Sequence, residues 1–142
     1  MTERAPRQRV TKRERFRERL QALTIVALLP AALRVLPLRR TLALCDRFPR
    51  ARHRSAPPLA LVARAHRWLS HGRGPWANSC LTRAVVLYAM LRQHGYQPLL
   101  HVGVCGDASS FVAHAWVSLA GRPVGDEQTV TERYHELLVH HG

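Results

Sequence analysis

The chain changes its apolar rhythm at one place. Before His71-Gly72-Arg73-Gly74-Pro75 its hydrophobic residues recur three and four apart; beyond about residue 97 they gather into short β-rich runs. A period near 3.6 calls for helices, and short runs bounded by turn residues call for strands. Helices, then one long helix, then strands is the order of an α+β fold, with the helices segregated from a small antiparallel sheet. The 142 residues suffice for one core, burying roughly two-thirds of the surface that the unfolded chain exposes, and exclude two full domains.

Within that frame residues 1–12 read as a basic arm. Phe16, Leu20, Leu23 and Val26/Ala27 predict an amphipathic helix from Arg13 to Leu29. Pro30 and Pro37 bracket a second short helical piece, and Leu38 to Phe48 forms a third. The charged run from Pro49 to Pro58 is a connector, and Leu59 to Leu69 is helical with Pro58 near its first turn. Ser79 caps a helix from Cys80 to about His94, with Leu81, Ala84, Val85, Tyr88 and Leu91 facing inward and Gly95 as its stop. Strands are expected within Gln97–Cys105 and Phe111–Leu119 and over Arg122–Asp126, with a closing helix over Thr129–Val139. The organisation expected is a basic helical region, 1–54, before an α+β core, 55–142.

The net charge of +13 is concentrated at one end. Residues 1–54 carry 15 Lys+Arg against 4 Asp+Glu, whereas residues 55–142 carry 7 against 5. An Arg-rich start followed by an apolar stretch from Ala22 to Leu33 imitates a signal peptide, but Pro30 and Arg34 interrupt it and no Ala-x-Ala site follows. The stretch is also shorter than the ~20 apolar residues of a membrane span. A cytoplasmic protein without a membrane span is therefore expected. Three cysteines, Cys45, Cys80 and Cys105, cannot close a disulfide framework and suit a reducing compartment.

Chemistry concentrates in the second half. Cys80 begins a predicted helix, where unpaired N–H groups and the helix dipole favour a thiolate. His114 lies in a predicted strand and Asp126 on the next one. An imidazole exchanges protons near neutral pH, and a carboxylate fixes its tautomer and stabilises its cation. If Leu119-Ala120-Gly121 forms a three-residue hairpin loop with Gly121 in the left-handed position, Ser118 faces Arg122 and His114 faces Asp126. Direct cross-strand partners have Cβ atoms about 5 Å apart, within hydrogen-bonding range for these side chains. A two-residue turn would put the pair on opposite faces.

Each residue also has a plain structural reading: Cys80 as a buried small hydrophobe, His114 as a hydrogen-bonded core histidine, Asp126 as a turn carboxylate. Asp107 competes as the acid, and Cys45 and Cys105 compete as thiols. A zinc site from His101, Cys105 and His114 lacks a compact ligand pair and a fourth ligand. Neither a metal nor a cofactor is expected.

The blocks Cys80-Leu81-Thr82-Arg83-Ala84, Leu91-Arg92 with Gly95, Phe111-Val112-Ala113-His114-Ala115-Trp116-Val117, and Gly121-Arg122-Pro123-Val124 with Asp126 resemble a known family. This is the transglutaminase-like leader peptidase of lasso-peptide biosynthesis, the peptidase half of the maturation B protein. The resemblance is densest over residues 76–126, and the Arg-rich helical start suits the stand-alone form.

It implies a papain-like core in its transglutaminase-type arrangement, with Cys80, His114 and Asp126 at the catalytic positions. The implied reaction is removal of the leader from a ribosomally made precursor peptide. The partners that the resemblance implies are a separate leader-recognition protein that delivers the precursor and a lasso cyclase that acts afterwards. The Cys80 N–H is a natural oxyanion donor, with Asn78 or Trp76 as possible second donors.

Two other classes share parts of this sequence. Acyl transfer to an amine would use the same triad. A non-catalytic basic module would use residues 1–54 to bind an acidic peptide, a partner protein or nucleic acid. Nucleic acid is not the expected partner, because Phe16 and Phe48 are the only aromatics of that region and no reading helix is recognisable.

Overall fold

The computed structural model describes residues 11–51, 54, 56–73, 79–107 and 109–142. Four helices, α1 (Lys12–Val35), α2 (Leu38–Arg47), α3 (Pro58–Leu69) and α4 (Cys80–Gln93), precede the strands β1 (Leu99–Asp107), β2 (Ser110–Leu119) and β3 (Arg122–Pro123). A single turn, α5 (Val130–Arg133), then leads into β4 (His135–His140). The strands form one antiparallel sheet in the order β3-β2-β1-β4. This is the expected α+β arrangement.

The hub is α4. Every residue from Ala84 to Gln93 is buried, more than the single inward stripe expected. Val85, Val86, Leu87, Ala89, Met90 and Leu91 make it apolar almost all round, and such a helix is stable only when covered on all sides. α1, α2 and α3 pack against it, as do β1 and β2. It ends as expected at Gly95, whose φ of 79° costs a glycine little. Ile25, Leu29, Leu42 and Cys45 share one buried cluster with Leu61, Leu69, Leu91, Leu100 and Val117. Residues on both sides of position 54 thus build a single core.

Three local departures have physical causes. Helix α1 runs through Pro30, which was expected to end it. Proline forfeits a backbone hydrogen bond and costs about 3 kcal/mol inside a helix, but Ala22, Ile25, Leu29 and Leu33 continue one stripe on both sides of it and pack on the core. The expected closing helix over Thr129–Val139 is one turn followed by β4. Residues 135–140 pair with β1, and Leu138 alone of the three apolar residues there packs against the core, while Leu137 and Val139 stay exposed. The third strand holds only Arg122–Pro123 rather than reaching Asp126. Pro123 has no N–H to donate.

A partly buried polar knot ties α2, α4 and β4 together. The Tyr88 hydroxyl donates to Asp46 Oδ1 at 2.9 Å, Arg92 Nε lies 3.3 Å from the same oxygen, and His140 Nε2 reaches Oδ2 at 3.0 Å. Burial and the Asp46 hydrogen bond push the Tyr88 phenol above its ordinary range. Among the described residues no helix is long and apolar enough to cross a membrane.

Candidate active site

Cys80 occupies the first position of α4 and is half-buried. Ser79, extended at φ −80° and ψ 156°, caps the helix as expected: the Thr82 N–H donates to its Oγ at 3.2 Å. The Arg83 N–H donates to the Ser79 carbonyl at 2.9 Å. Those bonds begin the helical ladder, so the N–H groups of Cys80 and Leu81 at its head have no acceptor within the helix.

Alternation along β2 sends Ala115 and Val117 into the core against α4 and puts His114, Trp116 and Ser118 on the opposite face. His114 Nε2 lies 2.7 Å from Asp126 Oδ2, and the two side chains are only 18% and 19% exposed. An ionised carboxylate only accepts, so the proton of this bond belongs to Nε2 and Nδ1 is left as the basic nitrogen. The other carboxylate oxygen accepts the Glu127 N–H at 2.9 Å. The imidazole also contacts the Trp116 ring at 6.2 Å and the Tyr134 ring at 5.1 Å.

The histidine and the acid meet, but not through the register expected for them. Ser118 pairs with Pro123 and Leu119 with Arg122, across a two-residue turn in which both Ala120 (φ 50°) and Gly121 (φ 78°) are left-handed. Continued, that ladder would put Glu127 opposite His114. It stops instead at the bond from the Val124 N–H to the Val117 carbonyl, 2.8 Å. Gly125, at φ 75°, then turns the chain and delivers Asp126 from outside the sheet. A Cβ on Gly125 would sit 2.8 Å from Val62 Cγ1 of α3, so this bend requires glycine both for its backbone angle and for its packing.

Asp126 lies close to the N-terminal half of α4. With Gly125 it lines a cavity of about 20 Å³ shared with Arg83, Ala84 and Leu87. Cys80 precedes those three residues by three, four and seven positions, which places it on the same helix face. The structure bonds His114 to Asp126; among the described residues no hydrogen bond joins Cys80 to either.

Beside Asp126 opens a groove of about 720 Å³, walled by Pro58 and Leu59 on one side and by Leu119, Pro123 and Val124 on the other. Its lining is mostly apolar, with Asp126, Glu127 and Gln128 at one edge.

The competing residues fare differently. Burial first, and then Asp46, push the Cys45 thiol up to about 12, which leaves it unreactive near neutral pH. Cys105 is half-buried in β1, away from any helix N-terminus. The Asp107 side chain, Trp76, Asn78 and residues 1–10 of the basic arm lie outside the described residues. The set His101, Cys105 and His114 does not come together as a ligand group. His101 engages Glu136 Oε1 through Nδ1 and Ser118 Oγ through Nε2, each at 2.7 Å. Among the described residues no group of three or more His, Cys, Asp or Glu could hold a metal ion.

Sequence reading missed this second histidine network. His101 stacks on Trp116 at 5.1 Å and 3°, behind the ring that contacts His114. Glu136 reaches it because the β1–β4 register shifts by one residue between Val102 and Gly103, a bulge that re-aims the acid to the His101 face. Tyr134, at the start of that segment, was hidden for the same reason: the segment was read as helix.

A model of the transglutaminase-like superfamily matches residues 23–139, a span that includes Cys80, His114 and Asp126. No curated protein and no solved structure matches the chain.

Proposed function

Because the chain belongs to the transglutaminase-like superfamily, whose members are commonly cysteine peptidases, we propose that it cleaves a peptide bond with Cys80 as nucleophile, His114 as proton carrier and Asp126 as the group that braces it. The observation that carries this reading is the 2.7 Å bond from His114 Nε2 to Asp126. It leaves Nδ1 as the nitrogen that takes the thiol proton, and holds a carboxylate against the imidazolium that results.

The Cys80 thiolate adds to the scissile carbonyl, and the developing oxyanion meets the Cys80 N–H at the head of α4. The His114 imidazolium gives its proton to the leaving amine as the carbon–nitrogen bond breaks, leaving a thioester on Cys80. Water, deprotonated by His114, then adds to the thioester. The acid fragment departs and the thiol is restored. The groove of about 720 Å³ beside Asp126 is mostly apolar, the character of a side-chain binding site.

The substrate proposed is the precursor of a lasso peptide, cut between leader and core. The blocks Cys80-Leu81-Thr82-Arg83-Ala84 and Ala113-His114-Ala115-Trp116-Val117 support it through their resemblance to that family of leader peptidases. A separate leader-recognition protein presents the precursor, and a lasso cyclase receives the freed core. The test is incubation of the protein with precursor and recognition protein, read by mass spectrometry. Leader and core appear with the wild type and not with Cys80→Ala, folded by circular dichroism. Cleavage by Cys80→Ala at the wild-type rate overturns the reading.

A further inference from the structure

Helix α1 is apolar on two opposite sides. Ala22, Ile25 and Leu29 are buried against the core. Phe16, Leu20 and Leu23 point the other way, 69%, 55% and 58% exposed, and the exposed Ala27 continues their line. The spacing from 16 to 27 is four, three, four, which is the alternation of d and a positions in a coiled coil. A helix facing only water would carry polar residues there. The positions that flank the N-terminal half of such a seam hold Lys12, Arg17 and Arg19, all exposed, with Arg13 at its N-terminal end, and Thr24 and Val26 flank the other half.

We propose that this face of α1 is a docking seam for an acidic amphipathic helix of another protein, which lays its apolar a/d residues along Phe16, Leu20, Leu23 and Ala27 and its carboxylates along the flanking cations. The charges select the occupant. A second copy of this chain packed in parallel would set Lys12 against Arg17, and like charges across a seam oppose pairing; an antiparallel copy, which moves the cations to opposite ends, gains no opposite charge either. The four residues fall within about 60° of the helix circumference at 100° per residue, and the exposed Leu28 and Val35 lie further round the helix. The seam is on the side of α1 turned away from α4, so it is independent of the chemistry at Cys80.

The probe is a synthetic three-heptad peptide with Leu at a and d and Glu at e and g, labelled with a fluorophore and titrated with the full chain by anisotropy. Its partner peptide differs only in carrying Lys at e and g. The Glu peptide is expected to bind at least about tenfold more tightly at about 50 mM salt, with the preference shrinking at about 500 mM as the charges are screened. The double variant Leu20→Glu/Leu23→Glu should lose at least about tenfold in affinity while keeping its melting temperature, because both side chains are exposed. Equal binding of the two peptides, undiminished binding by the double variant, or no binding at all overturns the proposal. So does self-association of the chain, or binding to phosphatidylglycerol vesicles in place of the peptide, if the same two substitutions abolish it.

Discussion

Asp126→Asn is the perturbation with the most to say about mechanism. The residue accepts at both oxygens, from His114 Nε2 at 2.7 Å and from the Glu127 N–H at 2.9 Å. Asparagine is nearly isosteric and its single carbonyl oxygen serves only one of the two donors well. The variant therefore keeps the bend at Gly125 but loses the charge opposite the imidazole. A hydrogen bond to a charged group contributes roughly 1.5–3 kcal/mol. In the proposed mechanism the imidazolium gives its proton to the leaving amine, so loss of the carboxylate opposite it is felt in the cleavage step. At about 1.4 kcal/mol per factor of ten, kcat/KM for precursor cleavage should fall by roughly 10- to 150-fold. Cleavage is followed by mass spectrometry under single-turnover conditions, with melting temperature as the check on folding. Asp107→Asn, made at the rival acid, should leave the rate within about twofold of wild type. An Asp126→Asn enzyme within about threefold of wild type, or a large loss in Asp107→Asn instead, refutes the assignment of the brace.

Other outcomes follow from the same geometry. Gly125→Ala forces a left-handed φ on a residue with a Cβ and drives that Cβ into Val62. It should cost about 1–3 kcal/mol in urea unfolding and depress cleavage further by displacing Asp126. Asp46→Ala takes the carboxylate from the Arg92 guanidinium, whose side chain is 3% exposed, and leaves it the carbonyl of residue 46 at 3.3 Å. A loss on the order of 3 kcal/mol is expected, read as a melting temperature lower by about 10 °C. The Cys45 thiol, held at about 12, should resist iodoacetamide at pH 8, where only about one molecule in ten thousand carries its thiolate, and react once guanidinium unfolds the chain. Burial lowers the His94 pKa from its ordinary value of about 6.5. Below that value the unfolded chain binds a proton that the folded one refuses, so stability falls with pH from about 6.5 downward until the folded value is passed. Urea midpoints between about pH 7.5 and 5.5 should drop more steeply for the wild type than for His94→Gln.

The helices were legible because their signals are local. Ser79 caps α4, Gly95 ends it, Pro58 opens α3, and the apolar spacing lies within one or two turns of each. Pro30 misled because its penalty is local while the packing that overrides it, through Ile25, Leu29 and Leu33, is tertiary. β4 was hidden for a similar reason. The run His135–His140 has no alternation of its own, since a bulge interrupts its pairing with β1, and only that pairing makes it a strand. With β4 went Glu136, and with Glu136 the network around His101.

The pairing of His114 with Asp126 was anticipated on a hairpin register that the chain does not adopt. Ala120 accepts a left-handed φ that was assigned to Gly121 alone, which shortens the turn by one residue and would separate the pair. Gly125, which carries no signal beyond being glycine, restores it. The meeting of these two side chains thus depends on a bend after the strand and not on cross-strand geometry.

In the proposed reaction the Cys80 sulfur works with the His114–Asp126 pair. The most direct test is site-resolved alkylation of the native protein with iodoacetamide near neutral pH, with the three cysteines quantified separately by peptide mass spectrometry in the wild type and in His114→Ala. Cys80 should react well ahead of Cys105 and Cys45, and its lead should collapse in His114→Ala while the other two rates stay put. Equal rates for Cys80 and Cys105, or a Cys80 rate indifferent to the loss of His114, contradict it.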